Sequence, residues 1–121
     1  MASFLPILFS GNSGGGKPYL VNSILANIAT ATAVHTATSV TDCIDEIWIW
    51  AQNNSNAAAD LIIAFGGTTQ PKDLIQSQIP ANSGLFLVVP GLRLNAGSVV
   101  KAVSPTINVI SVFVNVNRYT V

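Results

Sequence analysis

Few residues in this sequence carry reactive or ligating groups, and their spacing limits the chemistry open to them. His35 is the one histidine and Cys43 the one cysteine, while Asp42, Asp45 and Glu46 form the one acidic cluster. Carboxylates so grouped can hold calcium. Along an extended chain, however, Asp42 and Glu46 fall on one side and Asp45 on the other, and EF-hand loop spacing is absent. The reading that follows is a solvated strand end. A metal site at His35 would have to draw on carboxylates alone, so a hydrogen-bonded structural histidine is expected. Cys43 reads as a small buried apolar residue, because no second catalytic group is suggested near it.

The segment Gly11-Asn12-Ser13-Gly14-Gly15-Gly16-Lys17 has the spacing of a phosphate-cradling P-loop. The next residue argues against that use. Pro18 offers neither a hydroxyl for magnesium nor an N–H for phosphate, and no downstream apolar strand ends in a suitable aspartate. Trp48 and Trp50 alternate onto one face and could stack on sugar rings, but no Asp, Asn or Arg set flanks them in sequence, so a core or interface pair is expected. No catalytic, cofactor-binding or metal-ligating set emerges, and the chain reads as a non-enzyme.

The elements that position these residues are strands. The chain has 121 residues, half of them hydrophobic and 8% charged, with five basic and five acidic side chains. An average soluble domain carries roughly 25% charged residues. With so little charge, a small domain must cover itself with Asn, Ser, Thr, Ala and exposed aliphatics, a surface suited to being packed against. Lys17, Lys72, Arg93, Lys101 and Arg118 are scattered, so no nucleic-acid partner is indicated. No run approaches the ~20 apolar residues of a membrane span, so no membrane partner is indicated either.

Short apolar runs separated by turn residues predict strands over residues 44–51, 61–65, 74–79, 85–89, 92–94, 99–103 and 107–116, the last reaching toward Tyr119. Pro71 and Pro80 mark residues 74–79 as an edge strand. Pro90-Gly91 is expected to break residues 85–89 from 92–94. The Thr/Ala tract at 30–38 alternates as a further strand, and residues 18–29, which also fit a helical face, are read as extended. The expectation is an all-β, two-sheet antiparallel β-sandwich of jelly-roll type, with seven or eight strands and little helix.

The glycine stretch reads as a flexible joint, making residues 1–16 an N-terminal arm and residues 17–121 a single sandwich domain. Phe4, Leu5, Ile7, Leu8 and Phe9 would then anchor the arm on a partner, although the same run also fits a first strand. Residues 47–50 and 85–89 are apolar on both faces, which implies that something covers the outer face of their sheet. Trp48 and Trp50 join the candidate partner-binding residues on that ground.

The texture of residues 44–116 and just beyond resembles small tailed-bacteriophage virion proteins, especially capsid decoration (cement) proteins and related fibre or knob modules. The resemblance is carried by Asp45-Glu46-Ile47-Trp48-Ile49-Trp50-Ala51 and Ile63-Ala64-Phe65-Gly66-Gly67. It continues in Val89-Pro90-Gly91-Leu92-Arg93-Leu94-Asn95, Val99-Val100-Lys101-Ala102 and Val114-Asn115-Val116-Asn117-Arg118. It implies a structural protein that binds capsid shell subunits, made in the host bacterial cytoplasm and located on the virion. It carries over no active-site residues or cofactors. A tail-fibre or receptor-binding tip that recognises host glycans is the alternative. Apolar surface with little charge also predicts a closed homo-oligomer, and the resemblance favours a trimer.

Overall fold

A computed structural model of the chain describes residues 3–11 and 15–120. Asn12, Ser13 and Gly14 of the P-loop-like segment lie outside the described residues. Among the described residues nine strands run in order: β1 (Ser3–Ile7), β2 (Tyr19–Leu20), β3 (Ala33–Thr36), β4 (Cys43–Asn53), β5 (Ala59–Phe65), β6 (Leu74–Ile79), β7 (Phe86–Leu94), β8 (Val99–Val103) and β9 (Ile110–Thr120). One sheet has the order β1-β9-β4-β7, with the two residues of β2 also pairing to β9; the other has the order β3-β8-β5-β6.

The pairing is nested. β5 pairs with β6, β4 with β7, β3 with β8 and β1 with β9, all antiparallel. The chain is thus one long antiparallel ribbon, doubled at the β5–β6 connection and rolled so that successive strand pairs fall in opposite sheets. That is the jelly-roll arrangement, and it brings the first and last described strands, β1 and β9, together.

Strand β4 shows why the sequence folds this way. Asp45, Ile47, Ile49, Ala51 and Asn53 alternate inward and are buried, while Glu46, Trp48, Trp50 and Gln52 point outward. The inward set meets Val112 and Val116 of β9, Val89 of β7 and Leu61, Ile63, Val100 and Ala102 of the second sheet in one core. Asn53 links the layers: its Nδ2 donates to the carbonyls of Ala57 (2.9 Å) and Ile79 (3.0 Å), and its Oδ1 accepts the Ser55 N–H. The polar run Asn53-Asn54-Ser55-Asn56 therefore begins with a buried residue.

Three expectations are corrected. Residues 3–7 are a strand rather than a free arm: β1 pairs with β9 over five residues, and Phe9 just beyond it is buried in the core at 2% exposure. Gly11 anchors the same segment, donating its N–H to the Val34 carbonyl (2.8 Å) at an approach too close for any Cβ. Residues 85–89 and 92–94 are not separate, because β7 runs through Pro90 and Gly91. It does so as an edge strand, where Pro90 is tolerated, and its register against β4 shifts twice, once at the left-handed Gly91 (φ +75°) and once at Val88.

The third correction concerns residues 18–29. After the two paired residues of β2 the chain enters a 3-10 helix, Leu25–Thr30, kinked at Asn27. The Lys101 ammonium donates to the carbonyls of Ile28 (3.1 Å) and Ala29 (2.9 Å) at its end. Leu25 and Ile28 lie over Ala31, Ile62 and Val103. The helix therefore covers the outer face of the second sheet at Ile62 and Val103, which accounts for an outward apolar residue in the middle of β5.

Candidate functional site

Two constellations use the residues singled out above. The first is internal. Asp45 is completely buried, not solvated as its acidic neighbourhood suggested. Arg118 donates from Nε to Oδ1 (2.7 Å) and from its terminal nitrogen to Oδ2 (3.0 Å); Oδ2 also accepts from His35 Nε2 (2.9 Å) and the Thr38 N–H (3.1 Å). Burial alone would raise the Asp45 pKa, but the hydrogen bonds from Arg118 and His35, the Arg118 charge and the Thr38 amide outweigh it. The carboxyl sits below the ordinary aspartate range.

His35 is 1% exposed, in agreement with a hydrogen-bonded structural histidine. A register shift between Ala33 and His35 lets Val34 and His35 both point inward, against simple alternation. The Ser10 backbone N–H can only donate, so His35 Nδ1 accepts it (3.0 Å) and Nε2 carries the hydrogen toward Asp45. The Ser10 hydroxyl lies 3.4 Å from Nδ1 and accepts the Thr36 N–H at 2.8 Å. Serine, histidine and aspartate thus stand in a row. The imidazole lone pair that a general base needs is occupied by the serine's own amide, so the row works as a latch holding the β1 connection to the core.

The second constellation is the outer face of the first sheet, and it contains most of the partner-binding residues expected from sequence. Trp48 and Trp50 are half-buried there, with near-parallel rings (15°) whose centres lie 6.2 Å apart. Register places Asn115 and Pro90 beside Trp48, and Phe113 and Leu87 beside Trp50. Gly91 makes room for the first ring: a Cβ there would meet Trp48 at 2.8 Å. Phe4 packs edge-on against Tyr119 at 5.2 Å, and the Arg93 guanidinium lies 5.5 Å over the same tyrosine ring.

Glu46 organises this face. Its Oε1 accepts from Trp48 Nε1 (2.9 Å) and Asn117 Nδ2 (3.2 Å), its Oε2 accepts from the Tyr119 hydroxyl (3.0 Å), and Arg93 lies 3.9 Å away. The Trp48 and Asn117 hydrogen bonds lead in holding its carboxyl below the usual glutamate range, while burial and Glu46 raise the Tyr119 hydroxyl. Sequence reasoning found the two tryptophans but missed this hub and its partners. Asn115 lies opposite Trp48, and Asn117 and Arg93 lie opposite Glu46, although none is near them in sequence; only the register of β4 against β9 and β7 reveals them.

The remaining candidates divide. Phe4, Leu5 and Leu8 are exposed at 55%, 58% and 64%, while Ile7 packs against the core and Phe9 lies within it. Among the described residues no group of three or more His, Cys, Asp or Glu is placed to hold a metal ion. No protein-family model and no curated protein matches this chain.

Proposed function

We propose that this chain is a structural protein of a bacteriophage particle, a capsid decoration subunit that binds shell proteins through the outer face of its five-stranded sheet. The observation that carries the binding role is the contrast between the two sheets. One has its apolar outward residues Ile62 and Val103 capped by the chain's own 3-10 helix, whereas the other presents Trp48, Trp50, Leu87 and Phe4 around a hydrogen-bonded Glu46. Rigid aromatic groups held in place by neighbours are suited to anchoring an interface, because little side-chain freedom is lost on binding. The capsid assignment adds the resemblance of residues 44–116, with which the jelly-roll topology agrees. Self-association belongs to the same reading, and its threefold count follows from the resemblance.

Quantitative mass spectrometry of the purified particle tests this reading. A decoration protein is present at hundreds of copies, and a chain found only at a few copies, or absent from the particle, overturns it. A second reading, a fibre-tip module recognising host glycans, is favoured by the parallel tryptophans, with Asn115 opposite Trp48 and with Asn117 and Arg93 opposite the adjoining Glu46. Specific, saturable binding on a glycan array selects that alternative.

A further inference from the structure

The four edges of the two sheets are not alike. β1 carries Pro6 within its five residues and β7 carries Pro90 at its centre, so each lacks an N–H within the strand, and β7 is also bent by two register shifts. β3 has four residues and a shift of its own. β6 has none of these protections. Its six residues, Leu-Ile-Gln-Ser-Gln-Ile, pair with β5 in one uninterrupted register and include no proline and no charge.

The direction of its backbone groups follows from one bond beyond that register. The Phe65 N–H donates to the Asp73 carbonyl (2.9 Å), which makes Phe65 and Asp73 a hydrogen-bonded pair. Alternation then makes Ile63·Ile75, Leu61·Ser77 and Ala59·Ile79 hydrogen-bonded pairs as well. Leu74, Gln76 and Gln78 therefore turn their backbone groups away from β5. The Leu74 N–H is taken by the Pro71 carbonyl (3.3 Å), leaving the N–H and C=O of Gln76 and Gln78 directed outward.

We propose that β6 is a pairing edge for a second copy of this chain, added antiparallel across a twofold axis at Ser77. In that register Gln76 faces Gln78 of the copy and Gln78 faces Gln76, so each pair exchanges two main-chain hydrogen bonds and all the outward groups of both glutamines are used. Pro80 beyond one end and the occupied Leu74 amide at the other set the limits of the pairing. Ile75 meets Ile79 of the copy on the inner face, and the glutamine side chains lie together on the outer face. No like charges oppose one another, since Lys72 and Asp73 fall opposite Asn82 and Ala81. The joined four-stranded sheets become one eight-stranded sheet. This contact is independent of the tryptophan face and of its proposed partner.

Light scattering after size exclusion, on the full chain at tens of micromolar, tests the pairing. Wild type is expected to run at twice the mass of any variant that loses this edge, whether or not a threefold contact elsewhere is also made. Gln76→Pro removes an outward N–H, and Gln76→Lys with Gln78→Lys places like charges opposite each other while leaving the backbone intact. Both variants are expected to run at half the wild-type mass with an unchanged far-ultraviolet spectrum. A monomeric wild type, or a mass that the double lysine variant leaves unchanged, overturns the proposal. Neither result bears on particle copy number, so failure here and failure of the decoration reading are separable.

Discussion

Asp45 and Arg118 stand opposite each other across β4 and β9, 73 residues apart in the chain, and are joined by two hydrogen bonds on the inward face of the sheet. One buried carboxylate thereby ties the β4–β7 pair of the ribbon to the β1–β9 pair, with His35 of β3 bringing in the second sheet and the Thr38 amide the chain just beyond it. Asp45→Asn removes the charge and one of the acceptor oxygens while leaving Arg118 in place. Breaking a buried pair in this way costs about 3–5 kcal/mol, and the partial exposure of Arg118 places the expected loss near ~3 kcal/mol. Urea unfolding followed by tryptophan fluorescence measures it. A loss below ~1 kcal/mol would show that the network is not a stabilising centre.

The same carboxylate sets a pH dependence. The Asp45 pKa is lower in the folded chain than its ordinary value, so its stabilisation is present above the unfolded pKa and is lost as pH falls through the folded one. The urea midpoint is expected to drop between pH 6 and pH 3, and to drop less in Asp45→Asn. Parallel curves for the two proteins would assign the acid sensitivity to other carboxylates.

Why one part of this molecule was legible in the sequence and another was not is visible along β4. The alternation of Ile47, Trp48, Ile49 and Trp50 fixes strand, faces and burial locally, and the jelly-roll expectation grew from such runs. Asp45 obeys the same alternation, which already places it with Ile47 and Ile49. Its burial was unreadable because its partners His35 and Arg118 are remote in sequence, and an unpartnered aspartate belongs in water. Pro90-Gly91 misled for a related reason: a turn signal is tolerated inside an edge strand, and edge position depends on topology.

Residues 3–9 contribute to stability through Phe9 rather than through the strand's exposed side chains. Phe9→Ala leaves a cavity in the core and is expected to cost about 3–5 kcal/mol, whereas Phe4→Ala at the surface is expected to cost less than ~1 kcal/mol. Deleting residues 1–10 also removes the Ser10 amide from His35, and should lower the melting temperature by many degrees. An unchanged melting temperature in the deletion would restore the free-arm reading.

Gly91 controls the geometry of the aromatic face. At φ +75°, with Trp48 lying on its α-carbon, an alanine is strained and also displaces the ring. The left-handed conformation alone costs a non-glycine residue roughly 1–2 kcal/mol. Gly91→Ala is therefore expected to destabilise by at least that amount and to shift the tryptophan emission, because Trp48 moves off its strand and loosens its bond to Glu46. Unchanged emission would mean that Trp48 is not held by this contact.

Trp50 is the sharper probe of what the face does. Trp48 has intramolecular work, donating to Glu46 and packing on Gly91, so its removal confounds fold and binding. Trp50 makes neither contact; it lies among Trp48, Phe113 and Leu87, half-buried on the outer surface. If the face is an interface, Trp50→Ala should weaken capture by purified capsid shells by ~2 kcal/mol or more, about thirtyfold in affinity, with urea stability close to wild type. A core residue would show the opposite pattern, a large stability loss with affinity retained in whatever fraction folds. Glu46→Gln supplies the matching control on ring orientation. It keeps an acceptor for Trp48 but weakens the bonds from Asn117 and Tyr119, so a preorganised face should lose part of its affinity without any aromatic side chain being removed. Shell capture untouched by both substitutions would move the binding surface away from this sheet.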